Sequence, residues 1–206
     1  MCLNNSSCGC SSNGNNGCSS LGPFVAIDAA CITPPSVSAT GSIIPFASGP
    51  VPAVLATLAT GLVGTVSLIG FGSAVPGVSL VGTDIDLSAV VGTEAFSVPR
   101  NGNITAISAT FSATVAAALL GTTTVHAQVY RAPAGSNIFS PTTASIDLAP
   151  AFTTIAIGST ASATANVAPV PVVAGDRLLM VFSITATGIT VANVLTGNAS
   201  AGITIA

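Results

Sequence analysis

The amino-acid sequence predicts an all-β domain whose short strands pack as a two-sheet sandwich or jelly roll. From Ser97 onward, apolar and polar residues alternate with a period of two, which is typical of strands that bury one face. Gly, Pro and Asn separate these runs, and no helical pattern lies between them. Small and β-branched residues, mostly Ala, Val, Thr, Ser and Ile, dominate the composition and favour strands.

The first 40 residues differ in composition from the rest and are predicted to be a connector. The first half of this segment consists mostly of Asn, Ser, Gly and Cys, which cannot build a core. A short apolar stretch follows at Leu21–Ile32 and precedes the pair Pro34 and Pro35. We therefore divide the chain into a connector, Met1–Thr40, and a head, Gly41–Ala206.

All five cysteines lie in the connector, and the head has none. A disulfide-stapled fold would spread its cysteines through the fold, so these cysteines are expected to act within the connector or between chains. An odd number leaves at least one thiol free or paired outside its own chain. We predict that at least two of the following four form intersubunit disulfides: Cys2, Cys8, Cys10 and Cys18. Cys31, beside the apolar stretch, is set apart as an additional thiol. The alternative is that the thiols remain reduced.

No metal or cofactor is predicted. Cys8 and Cys10 are one residue apart, no CxxC pair exists, and the single histidine, His126, is distant in sequence, so zinc is disfavoured. Asp84 and Asp86 could place two carboxylates on one strand face, but calcium needs more oxygen ligands, and a solvated turn is favoured. No glycine-rich phosphate-binding motif occurs.

The scarcity of charge restricts the classes of partner. Charged residues make up 4% of the chain, Lys is absent, and the net charge is −3. A monomer with so little charge would be poorly soluble, so the sequence indicates a protein that lives in an assembly or in a membrane. Without a basic patch, nucleic acid is not predicted as a partner.

The uncharged stretch Val51–Val75 is long enough to cross a bilayer. It contains four glycines and many hydroxyl residues and lacks flanking Lys or Arg, so no membrane is predicted as a partner, and a membrane span is kept as the alternative. A buried or partly helical segment is the preferred interpretation, because Leu55, Leu58, Leu62 and Val66 would share one face of a helix. The N terminus also lacks the basic and apolar regions of a signal peptide.

Four alternating rows define the predicted strands of the head, and each apolar row is expected to face the core. The rows are Ile107, Ala109, Phe111, Ala113 and Val115; Val125, Ala127 and Val129, with His126, Gln128 and Tyr130 on the opposite side; Leu178, Met180, Phe182, Ile184 and Ala186; and Ala199, Ala201, Ile203 and Ile205.

An enzyme is not predicted, and no catalytic residue is assigned. With one histidine and scattered aspartates, no Ser–His–Asp set matches in sequence order. His126 is expected to be a polar residue of a strand face or an interface, rather than a general base or a zinc ligand.

Several strings in the head carry a family resemblance. They are GSIIPFASG at Gly41–Gly49, LIGFG at Leu68–Gly72, FSVPRNGNITAISATFS at Phe96–Ser112, QVYRAP at Gln128–Pro133, RLLMVFSITATG at Arg177–Gly188 and ASAGITIA at Ala199–Ala206. Through these strings the head resembles the C-terminal head of the collagen-like exosporium glycoproteins of Bacillus spores, the BclA and BclB kind. The resemblance implies a jelly roll similar to the tumour-necrosis-factor and C1q heads, a homotrimer, and display on the spore surface after synthesis in the mother cell.

The chain departs from that family because it has no Gly-X-Y tract and therefore cannot form a collagen stalk. A head with a cysteine-bearing connector is similar in layout to the subunits of endospore appendages. The first functional hypothesis is thus a structural subunit of a spore-surface fibre or layer, trimeric and linked through its connector, with an exosporium anchor protein as a further partner. The alternative is an adhesive or binding head displayed on the exosporium, because the fold alone fits both.

Overall fold

A computed structural model describes residues 41–88, 95–188 and 191–206, and these residues form thirteen strands and no helix. The prediction of an all-β domain is confirmed. The predicted connector lies outside the described residues. The strands are β1 (Ser42–Ala47), β2 (Ala53–Thr57), β3 (Val63–Ile69), β4 (Ala74–Ser79), β5 (Ile85–Asp86), β6 (Phe96–Ser97), β7 (Gly102–Ala113), β8 (Ala117–Ala132), β9 (Ile138–Asp147), β10 (Phe152–Ile155), β11 (Thr160–Val172), β12 (Arg177–Thr187) and β13 (Val194–Ile205).

The strands form one hydrogen-bonded antiparallel network. Its main path runs β11–β7–β13–β2–β3–β12–β8–β9–β5, while β1 pairs with β13, β4 with β3, β6 with β12 and β10 with β8. The last strand is central, because β13 pairs with β7 along one edge and with β1 and β2 along the other. A backbone bridge between Ala149 and Ser162 ties the segment after β9 to β11. We refer to β11, β7, β13 and β2 as one half of the path and to β3, β12, β8, β9 and β5 as the other half. The bridge therefore connects the two halves at a second place, besides the pairing of β2 with β3.

The apolar faces of the two halves meet in one core. Phe111 of β7 and Ile203 of β13 belong to the same buried cluster as Val125 of β8 and Phe182 of β12. The predicted rows of these four strands therefore face the core, with Ala201 only partly buried. Val115 is the exception, because it follows the end of β7 and is 53% exposed.

Strand β12 is buried on both faces. Leu179 and Val181 point away from the predicted row and join Phe139 in a second apolar cluster. Tyr130, predicted on the polar side of β8, is instead buried in this second cluster. A strand that is covered on both faces buries successive side chains, so its sequence is a continuous apolar run. Leu178–Phe182 accordingly contains no polar residue.

The stretch Val51–Val75 was expected to be buried or partly helical. Leu55 and Leu68 are buried, but the expectation of a helix is wrong. The stretch forms β2, β3 and the start of β4, and Gly61 reverses the chain between β2 and β3 with a φ of 83°. Leu58 and Leu62, which a helix would have aligned with Leu55, lie in this turn and are 51% and 64% exposed. Glycines divide the apolar residues into runs of strand length, and this division outweighs their helical spacing. Within the described parts of the chain, no helix is long and apolar enough to cross a bilayer.

Candidate functional site

The outer side of β7, β11 and β13 presents small uncharged side chains, and we call this surface the hydroxyl face. Residues directly opposite on paired strands, such as Thr110 between Ser162 and Ser200, point to the same side of the sheet. All members are exposed or half-buried, and none of the three strands contains a charged residue. The hydroxyl face consists of Ser108, Thr110, Ser112, Thr160, Ser162, Thr164, Asn198 and Ser200.

The hydroxyl face follows from the strand pattern, because its Ser and Thr residues alternate with the apolar residues that enter the core. Two hydroxyls of neighbouring strands, those of Ser108 and Thr164, form a hydrogen bond of 2.7 Å between their oxygens. A shallow cavity of about 280 Å³ opens where Thr110 and Ser200 approach the end of β1. Hydroxyl groups both donate and accept hydrogen bonds, so this surface can pair with another polar surface without burying a charge.

A larger cavity, of about 400 Å³, lies between β8, β9 and β11 and is lined by Arg131 and several prolines. Arg131 Nη1 donates a hydrogen bond of 2.7 Å to the backbone oxygen of Pro171 and lies 3.7 Å from Oδ2 of Asp176. Asp176 is buried and also accepts a hydrogen bond from the backbone N–H of Val173. The guanidinium therefore ties β8 to β11 and to the turn before β12.

An aromatic patch is formed by Phe46, Phe71 and Phe96. Phe71 is 54% exposed, and its ring centroid lies 5.3 Å from that of Phe46 and 6.2 Å from that of Phe96. Phe46 belongs to the core, so the patch continues the core to the surface at the end of β3. Its tilted rings have the geometry in which aromatic side chains attract each other.

The two aspartates weighed as calcium ligands lie at a turn. Asp86 Oδ1 accepts a hydrogen bond of 2.8 Å from the backbone N–H of Ser88, and the Ser88 side chain and backbone N–H together lower the pKa of Asp86. Asp84 exchanges backbone hydrogen bonds with Val81. Burial, and to a smaller degree the charge of Asp84, raise the pKa of Tyr130. Among the described residues, no three His, Cys, Asp or Glu side chains converge as metal ligands.

His126 lies between polar side chains of two neighbouring strands. It pairs with Asp147 of β9 on one side and with Ser183 of β12 on the other. Its Nδ1 contacts the carboxylate Oδ1 of Asp147, and its Nε2 lies 2.5 Å from the hydroxyl Oγ1 of Thr185. We call Asp147, His126 and Thr185 the relay.

Sequence reasoning placed His126 on a strand face beside Gln128 but missed the relay. Asp147 and Thr185 are 21 and 59 residues from His126, and only the register of β8 with β9 and β12 brings them together. If β8 and β9 had been predicted to pair as a hairpin, their register would have placed Asp147 opposite His126. No pattern in the sequence indicates that Thr185 lies near His126. Gln128, two residues along, donates from Nε2 to the backbone oxygen of Thr142 at 2.8 Å.

The cysteines predicted to link subunits cannot be placed in this geometry. Cys2, Cys8, Cys10, Cys18 and Cys31 all lie outside the described residues. Their pairing stays a prediction from their position in the sequence.

Comparison with known proteins gives a similarity to a collagen-like protein. No family model matches the chain. The chain is similar to Collagen-like protein 1 of Acanthamoeba polyphaga mimivirus, with 32% identity over 179 residues, which take in 81% of this chain and 19% of that protein. The chain thus spans about a fifth of the length of this relative. The similarity fits the broad resemblance to collagen-like proteins and does not single out the kind found on Bacillus spores.

Proposed function

We propose that the chain is a structural subunit of a surface assembly, and that its head is a jelly roll that forms a homotrimer. The hydroxyl face is the observation that carries the proposal. It spans adjoining parts of three long strands, and all its side chains can form hydrogen bonds without carrying charge. The similarity to a collagen-like protein of a giant virus supports the same broad class of role.

The physical argument concerns the penalty of burying a surface against a second copy. Interface cores are depleted of charged residues because a buried charge must be desolvated and paired. The hydroxyl face avoids that penalty, and its side chains are short, so little conformational entropy is lost when they are fixed. The apolar side chains of the same strands are already used in the core of the head.

We expect the full chain to behave as a trimer in solution when a reductant prevents disulfides. Light scattering coupled to size exclusion should give three times the mass of one chain, because the hydroxyl face buries against the neighbouring copies. Ser200→Glu should lower the mass to that of a single chain, since it places like charges at the interface. Thr122→Glu is the matched control, because Thr122 is also exposed but lies on β8. A single-chain mass for the parent protein would contradict the trimer.

We further propose that the connector links one trimer to the next through disulfides. The cysteine-free head cannot use these cysteines for its own stability. Forty extended residues reach about 130–145 Å, which is enough to meet a neighbouring trimer. Once two trimers are joined, each further bridge forms at a high effective concentration, so the link becomes durable.

The cysteines of the connector can be tested on a denaturing gel without reductant. We expect the oxidised parent protein to run as a ladder of covalent multimers. Replacement of Cys2, Cys8, Cys10 and Cys18 by serine should collapse this ladder to a single chain, whereas Cys31→Ser should leave it in place. If the fourfold serine variant keeps the ladder, the covalent connector is refuted.

The location proposed for this assembly is the outer surface of a bacterial spore, either the exosporium or an appendage. That location rests on the resemblance of the head strings, and it includes an anchor protein of the exosporium as a partner. A structural role of this kind requires neither a cofactor nor turnover. An adhesive head remains the alternative function, and a soluble trimer that forms no covalent multimers under oxidising conditions would favour it.

A further inference from the structure

The relay has the connectivity of an acid–base pair acting on a hydroxyl. Asp147 of β9, His126 of β8 and Thr185 of β12 follow one another across three adjacent strands. The His126 side chain is 25% exposed and that of Asp147 is 73% exposed, so the relay is open to solvent. Thr185 is half-buried, which leaves part of its side chain accessible.

The carboxylate of Asp147 determines which nitrogen of His126 carries the proton. An ionised carboxylate only accepts hydrogen bonds, so the neutral imidazole donates from Nδ1 to Asp147 Oδ1. The unprotonated Nε2 is then the acceptor for the hydroxyl of Thr185, at 2.5 Å. This is the proton arrangement in which an imidazole activates a hydroxyl nucleophile, and Asp147 acts as the positioning residue.

We propose that Thr185 is an acyl acceptor, esterified in a single event by an activated acyl donor such as a thioester or an aryl ester. Thr185 Oγ1 attacks the acyl carbon while its proton passes to His126 Nε2. The tetrahedral intermediate then expels the thiolate or phenolate, which takes the proton from His126. One O–C bond forms, one C–S or C–O bond breaks, and nothing is oxidised or reduced.

The acyl group is expected to stay on Thr185 because the donor ester is much more reactive than the ester that forms on the threonine. A thiolate or a phenolate leaves readily, so an activated donor reacts. Hydrolysis of the product is slower, because the product is an alkyl ester of threonine, which is much less reactive towards a nucleophile than a thioester or an aryl ester. The relay thus favours a lasting modification over turnover, and the inference is independent of how the head assembles.

The probe is p-nitrophenyl acetate, applied to the full chain after its cysteine thiols have been blocked by alkylation, because free thiols also react with activated esters. We expect one equivalent of p-nitrophenolate to be released per chain, an intact-mass increase of one acetyl group, and mapping of that group to Thr185 by peptide mass spectrometry. His126→Gln should slow the labelling by about 100-fold or more, because it removes the general base. Asp147→Asn should slow it by about tenfold or more and shift its pH–rate profile, because the imidazole loses the partner that fixes its tautomer.

Thr185→Val removes the nucleophile, and Thr124→Val is its matched control. Thr124 faces Thr185 directly across the β8–β12 pair and is equally half-buried, so this variant should label at the parental rate. Thermal melts establish that each variant is folded. The mapping on the parent chain stands even if a variant fails to fold. Labelling at another residue, release of p-nitrophenolate with no retained acetyl group, or an undiminished rate in folded His126→Gln would each overturn the proposal.

Discussion

Replacing Phe182 with alanine is expected to lower the free energy of unfolding of the head by about 3–5 kcal/mol. Phe182 is fully buried in the middle of β12, between the halves of the strand network. Its neighbours belong to rigid paired strands, so they cannot move in to fill the space that the ring leaves. Thermal unfolding of the purified protein measures the change, since each kcal/mol shifts the midpoint by about 2–4 °C in a domain of this size.

Phe71→Ala is the matched control, because it removes the same ring from the surface. Phe71 is 54% exposed and contacts Phe46 and Phe96 through tilted ring pairs. Its loss should lower the stability by only about 1 kcal/mol. Equal losses in the two variants would show that the core does not lie between the two halves as described.

Gly49→Ala is the second change with a large expected effect. Gly49 has a φ of 62°, and a Cβ built there would lie 2.0 Å from the backbone oxygen of Gly72. The segments at this point are held together by backbone hydrogen bonds from Ala47 to Gly70 and from Gly72 to Ala47, of 2.7 and 2.9 Å. A methyl group would push the two backbones apart and weaken those bonds. Overpacking of this kind is expected to lower the stability by about 1–3 kcal/mol, in addition to about 1–2 kcal/mol for the left-handed backbone.

Gly72→Ala separates these two contributions. Gly72 also has a positive φ, of 100°, but a Cβ there would meet no atom within 4 Å. This variant should therefore lose only the backbone contribution, of about 1–2 kcal/mol. Chemical denaturation of both variants gives the comparison. If Gly72→Ala is as destabilised as Gly49→Ala, the close approach of the two segments is not the cause.

The sequence indicated β7, β13 and the part of β8 up to Val129 well because each of these buries one face. The alternation in Ile107–Ala113 and in Val125–Val129 matched the observed core directly. The alternation failed to predict the burial of Tyr130, because a second apolar cluster covers the face of β8 that was expected to meet solvent. It also failed at Val51–Val75, where Leu55, Leu58 and Leu62 recur at a helical spacing although the glycine turn between β2 and β3 divides the stretch into short strands.

The candidate surfaces were predictable to different degrees. The alternation of Ser and Thr with apolar residues was visible in β7, but its alignment with β11 and β13 depends on pairings between distant segments. The relay depends on such pairings even more, because Thr185 reaches His126 only through the register of β8 with β12. Local sequence patterns indicate which face a residue occupies, whereas long-range register determines its neighbours.

The central position of β13 has a consequence for synthesis on the ribosome. β1 and β7 both pair with β13, the last of the described strands to be synthesised, so this part of the network cannot close earlier. At about 5–20 residues per second, β1 waits on the order of ten seconds or more for that partner. During this interval the nascent chain exposes unpaired strand edges with almost no charge to deter association. The part of the head that contains β1 and β7 therefore closes only once β13 is available.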